Sequence, residues 1–221
     1  MRSLGTTTIR RSRRERGFSL LEMLTVVALL IVMASITFIS MVPVLKQQRL
    51  NNAYNTTLAA MRQARDNSIA QNTSYSVTFS SSATPNTITV APALTTGFTG
   101  QQTAVTYQLP TDVTFLAQSG LPSAATAVPD GFGAGTVAID FGYTGSNTSG
   151  GLNYVYFCPD GSAQSDTSGG CLGNWDGGVV YLARSGDLLS SRAITLWGGT
   201  GRLHGWRLYP KSGGGYQWLR Q

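Results

Sequence analysis

The residue types that most often carry chemistry are scarce in this chain. Of its 221 residues, one is a histidine, His204, and two are cysteines, Cys158 and Cys171. Twelve residues separate the cysteines, in a stretch rich in Gly, Ser and Asp. They can close a disulfide if that stretch lies outside the cytoplasm. A metal site is the alternative, and it needs more ligands than a lone histidine adds. There is no phosphate-cradling glycine loop and no nucleophile elbow, and a Ser-His-Asp set could be built only by choosing freely among many serines. Asp160, Asp166 and Asp176 around the cysteines are of the type that ligates calcium. Their spacing does not match an EF-hand, and solvated loop acids account for them more simply. The C-terminal segment has another potential. Arg184, Arg192, Arg202, Arg207, Lys211 and Arg220 interleave there with Trp197, Trp206 and Trp218. Such a pattern can grip a phosphate backbone while aromatic rings stack on bases; the opposing reading is a solvated strand face. The expectation is a protein that is not an enzyme, with no cofactor and no metal.

The formal net charge of +6 is unevenly placed, which bears on the nucleic-acid reading. Residues 1–17 hold six arginines against Glu15, so the rest of the chain is nearly neutral. From Ser74 to Ala183 there are six aspartates and no Lys or Arg, whereas the segment from Arg184 onward carries five arginines and Lys211 against Asp187. The part beyond the N-terminus is polarised rather than basic.

The elements that must position these residues begin with an apolar run. Met23 to Leu45 is 23 residues without a formal charge. As a helix it measures about 34 Å, enough to cross a hydrocarbon core of about 30 Å. Arginines stand immediately before it, so the positive-inside rule places residues 1–17 in the cytoplasm and the chain after Leu45 outside. A cleaved secretory signal is the competing reading. Against it, the run is long for such a signal, and the helical rhythm continues beyond it without a clear small-x-small cleavage site. Glu22 sits at the margin of the run, where a carboxylate is costly unless headgroups solvate it or a partner meets it.

Past Pro43 the pattern becomes amphipathic. Leu50, Tyr54, Leu58, Met61, Arg65 and Ser68 form a stripe at three- and four-residue steps, with Ala53, Thr57 and Ala64 beside it. One helix is expected from Phe18 to about Asn72, kinked or loosened near Pro43. From Tyr75 the period falls to two. Strands are expected at 75–80, 86–91, 104–109, 113–117, 136–141, 153–158, 178–183, 193–197, 203–209 and 216–219, separated by Gly-, Pro- and Ser-rich turns. The fold class is α+β: a long helix, its first half membrane-spanning and its second packed on antiparallel sheets.

The segment Arg16-Gly17-Phe18-Ser19-Leu20-Leu21-Glu22-Met23-Leu24-Thr25 closely resembles the prepilin cleavage and methylation motif. The resemblance implies a pilin-like fold and cutting by a prepilin peptidase between Gly17 and Phe18. It also implies N-methylation of Phe18 and a role for Glu22 in subunit assembly, paired with the N-terminal amine of a neighbouring subunit. The chain then divides into a leader at 1–17, a transmembrane half-helix at 18–45, an amphipathic half at 46–73 and an extracytoplasmic head at 74–221.

At the end of the helix, Met61-Arg62-Gln63-Ala64-Arg65-Asp66-Asn67-Ser68-Ile69-Ala70, followed by the strand at Tyr75–Phe79, resembles the GspH/FimT group of minor pseudopilins and minor pilins. So do Phe157-Cys158-Pro159-Asp160-Gly161, Gly177-Gly178-Val179-Val180-Tyr181, Arg192-Ala193-Ile194-Thr195-Leu196 and Thr200-Gly201-Arg202. The group implies an inner-membrane protein with a periplasmic head, acting in the pseudopilus of a type II secretion system near the filament tip. Its partners would be the peptidase, other pseudopilins or pilins, membrane lipid, and secreted cargo or the secretin. The alternative is a type IV minor pilin that binds DNA. FimT-like members do so through a Gly-Arg-x-Arg element; here the run is Gly201-Arg202-Leu203-His204, with Arg207 as the substitute cation.

Overall fold

A computed structural model describes residues 17–93, 103–143, 150–165, 171 and 175–221. The leader up to Arg16 and the acidic residue Asp166 lie outside the described residues. The chain divides into two compact units, Met1–Val44 and Leu45–Gln221. Helix α1 spans Leu20–Gln71 and contains Pro43. Its helical assignment continues through that proline, where a kink or loosening was expected.

In the first unit the apolar window of α1 has no residue buried, and among the described residues this is the one helix long and apolar enough to cross a membrane. Three of its hydroxyl side chains fold back on their own backbone. Thr25 donates to the Glu22 carbonyl at 2.9 Å, Ser35 to Ile31 at 2.8 Å and Thr37 to Met33 at 2.9 Å. Hydroxyls satisfied in this way can face hydrocarbon without an unpaired donor.

The second unit begins with the rest of α1. Leu50, Ala53, Tyr54, Thr57, Ala60, Met61, Ala64 and Ser68 are buried, while Asn51, Asn55, Arg62 and Asp66 are exposed. The buried set follows the stripe that the three- and four-residue spacing predicts, except that Leu58 and Arg65 are half-buried and Ala60 joins it. The helix ends at Gln71, and Asn72 adopts a positive φ of 48° that turns the chain into the sheets.

Among the described residues, eleven strands follow. They are β1 (Tyr75–Ser80), β2 (Thr87–Pro92), β3 (Val105–Gln108), β4 (Thr114–Phe115), β5 (Ile139–Tyr143), β6 (Tyr154–Phe157), β7 (Ala163–Gln164), β8 (Gly177–Arg184), β9 (Asp187–Trp197), β10 (Arg202–Pro210) and β11 (Tyr216–Arg220). One sheet has the order β3-β2-β1-β6-β7; the other runs β11-β10-β9-β8-β4, with β5 also on β8. Every pairing is antiparallel. All ten expected strands are present, within a few residues at their ends. Two features depart from the expectation. The two-residue β7 lies in a Ser/Gly/Asp stretch without a run of β-formers, and β9 begins at Asp187 rather than at residue 193. Its first half holds Ser190, Ser191 and Arg192, polar residues that are nonetheless buried.

Alternation assigns the two faces of the second sheet. Val180, Leu182, Ile194 and Leu196 join the helix residues and the inner face of the first sheet (Val77, Phe79, Ile88, Val155, Phe157) in the main core. Val179, Tyr181, Ala193, Leu208 and Trp218 face the other way and pack with Leu121, Phe132 and Leu188 in a second, smaller core.

Candidate functional site

The processing motif stands at the start of the described chain. Gly17 and Phe18 precede the helix and are exposed, and Phe18 retains 74% of its accessible surface. A Gly-Phe bond outside the helix and uncovered is one that a peptidase can reach. Glu22 lies in the first turn of α1, where a carboxylate complements the positive end of the helix dipole.

Cys158 and Cys171 form a disulfide with a Cα–Cα separation of 5.8 Å. The bond sits where the end of α1 meets the head. The Ser68 hydroxyl donates to the Cys158 carbonyl at 2.9 Å, and Arg65 donates to the carbonyls of Gly161 and Thr200, each at 3.1 Å. Asp160 closes the turn by accepting from the Ser162 amide at 2.9 Å and its hydroxyl at 2.6 Å, and these bonds hold its carboxyl below the usual carboxylate range. Asp176 is buried and is engaged by the amide and hydroxyl of Ser165. Both acids are thus occupied by serines within the fold. Reducing the disulfide is expected to cost about 3 kcal/mol, from the entropy that a loop of this size regains when unfolded. Thermal unfolding with and without reductant measures it.

The three residues grouped from the sequence for DNA contact do not converge. Arg202 is exposed at the start of β10 and shares a cleft of about 430 Å³ with Arg62, Arg65, Asp66 and Thr200. Arg207 is five residues further along the strand, so its Cβ points to the opposite side. There it pairs in register with Arg192, and its guanidinium lies 5.1 Å from the Tyr209 ring centroid. Arg192 is 98% buried, since only 2% of its surface remains accessible. Burial and the neighbouring Arg207 push its pKa down to about 10, which leaves it charged at neutral pH.

His204 is also withdrawn from solvent. Its Nδ1 is 2.8 Å from Asp130 Oδ2, which also accepts from the Thr195 hydroxyl, and Thr195 Oγ1 accepts from the Trp206 indole N–H at 3.1 Å. This network pins the turn Pro129–Gly131 onto β9 and β10, with Asp130 at a positive φ of 52°. In the sequence, Pro129-Asp130-Gly131 is a turn signal alone, because nothing local shows that its aspartate meets a histidine 74 residues on. Burial acts to raise the Asp130 carboxyl, but hydrogen bonds from Thr195, His204 and Trp197 outweigh it and leave the pKa below the usual value. A depressed carboxylate pKa contributes stability above the unfolded value of about 4, and loses it as pH falls through the folded value. Asp130→Asn tolerates the same backbone and is expected to cost about 1–3 kcal/mol at pH 7. The gap from the native chain should narrow in unfolding curves taken below about pH 4.

Residues 12–38 match the prokaryotic N-terminal methylation motif. No curated protein and no solved structure matches the chain. The matched stretch contains Gly17, Phe18 and Glu22 and runs into the apolar part of α1, and the helix leads into antiparallel sheets. Together these features support a type IV pilin-like protein, processed by prepilin peptidase, anchored in the inner membrane and assembled with other pilins in a pilus or pseudopilus.

Proposed function

We propose that the chain is a minor pseudopilin of a type II secretion pseudopilus, placed near the filament tip, where its head contacts other minor subunits, cargo or the secretin. The observation that carries this reading is Gly17-Phe18 and Glu22 set directly against the exposed apolar run of α1. The GspH/FimT-like runs around Cys158, Gly177 and Arg192 narrow it to the minor subunits. Residues 1–17 are the cytoplasmic leader, cut after Gly17; Phe18 is methylated; residues 18–45 span the inner membrane; and 46–73 with 74–221 form the periplasmic part. Glu22 sets subunit register, since a carboxylate at the apolar margin is neutralised at least cost by a neighbouring N-terminal amine.

The mature product is expected to begin at a methylated Phe18, read by mass spectrometry of the purified membrane protein. Gly17→Leu should leave the leader attached. Glu22→Leu should be cut normally but fail to enter filaments. A mature N-terminus downstream of the apolar run would refute the reading. Deleting the gene should abolish secretion of cargo and spare surface pili; the reverse outcome would assign the chain to a type IV pilus.

One observation favours that second reading. The exposed Arg202 shares its cleft with Arg62 and Arg65, so three guanidinium groups stand near one another where a FimT-like pilin would meet a phosphate backbone. On this reading, Arg62→Ala with Arg202→Ala removes salt-sensitive DNA binding by the full chain, while Arg207→Ala has little effect.

A further inference from the structure

The hairpin joining β10 to β11 builds a second cleft. Gly213, Gly214 and Gly215 all have positive φ, between 79° and 100°, a run that only glycine adopts without strain. The Lys211 amide donates to Gly215 O at 3.0 Å and Gly214 N–H to Lys211 O at 3.1 Å, which closes the turn and brings Lys211 beside Tyr216. The strand register pairs Leu208 with Trp218 and Trp206 with Arg220, so Trp206, Trp218 and Tyr216 share one face. Opposite them the segment Thr126–Val128 forms a wall, and the enclosed volume is about 370 Å³. Trp218 is 92% buried, with 8% of its surface accessible, and its indole N–H has no hydrogen-bond partner.

The lining defines that ligand. Trp206 and Tyr216 offer flat apolar faces, while Trp218 is buried. The polar side chains among the lining residues are those of Lys211, Gln217 and Thr126, with no carboxylate in the lining. Such a site takes a ring that is apolar on its faces, rich in oxygen acceptors at its edge and negatively charged once. The volume is at the small end of the range for ligand sites, enough for about one or two sugar rings.

We propose that this cleft binds a uronic acid unit of an acidic polysaccharide. The pyranose stacks on Trp206 and Tyr216, and its carboxylate pairs with Lys211. A nucleic acid fits less well. Its backbone needs a track of cations, whereas Lys211 is the cation that lines this cleft, with Arg220 beyond it on the same face, Arg207 on Tyr209 and Arg192 buried. The assignment is independent of which filament the subunit joins.

The test uses the full chain in detergent, titrated with tetragalacturonate and followed by tryptophan fluorescence and calorimetry. Saturable binding is expected. The neutral tetragalactose counterpart should bind about tenfold or more weakly, as should the Lys211→Gln variant, because each removes a charge-assisted hydrogen bond. Tyr216→Ala should weaken binding about tenfold through lost stacking. Lys211 and Tyr216 are exposed, so neither change should lower the unfolding temperature. Absence of binding at millimolar ligand would overturn the proposal. So would binding that both variants leave unchanged, or a single-stranded oligonucleotide that binds more tightly than the saccharide and is lost with the same two substitutions.

Discussion

Gly205→Ala is expected to destabilise the head by about 3 kcal/mol or more, at the upper end of what an added methyl does in a packed core. Gly205 lies on β10 opposite Ile194, on the side that meets α1. A Cβ built there falls inside the van der Waals envelope of the Tyr54 hydroxyl and 2.8 Å from its Cζ. The glycine therefore lets the sheet approach a buried helix tyrosine, and neither side can retreat. Tyr54 is 8% exposed, and burial raises its hydroxyl pKa above the ordinary value. The strand is fixed by β9 on one side and β11 on the other. Tyr54→Phe removes the hydroxyl and leaves the ring. The double variant should regain part, though not all, of the loss, a coupling that a mutant cycle in denaturant measures. An unfolding midpoint unchanged in Gly205→Ala would refute this account of how helix and sheet meet.

Phe79→Ala carries the other large effect, an expected loss of about 3–5 kcal/mol. Phe79 is fully buried on β1 of the first sheet. Its ring stacks on Phe141 of β5 at 5.4 Å with planes 17° apart, and meets Phe115 of β4 edge-on at 5.6 Å. Both partners belong to the second sheet, so this triplet ties the two sheets together. Such ring pairs add about 0.5–1.5 kcal/mol each beyond the area they bury. Phe79→Leu keeps most of the volume and should cost about half as much or less. Thermal unfolding of the two variants separates the cavity from the ring geometry. A loss near zero in Phe79→Leu would mean that the aromatic contacts contribute nothing of their own.

Much of this protein was legible in its sequence because the signals are local. A run of 23 uncharged residues sets the apolar part of α1, and the stripe from Leu50 to Ser68 sets its buried face. Alternation marked ten strands. The first half of β9 escaped because Ser190, Ser191 and Arg192 read as exposed, although the hairpin with β8 holds them inside. Likewise, two-residue β7 carries too little pattern to register as a strand, and exists by pairing with β6.

The sequence alone determined the processing motif, the apolar run and the α+β order of elements, since each depends on the type and spacing of near neighbours. Only the tertiary structure decided which charges are free. It set Asp130 against His204, enclosed Arg192, parted Arg202 from Arg207 and closed the aromatic cleft beneath Lys211. The physical reason is that a strand's period fixes the side to which a residue points. What covers that side comes from segments tens of residues away, and that cover decides whether a cation or a histidine meets solvent, a ring or a carboxylate.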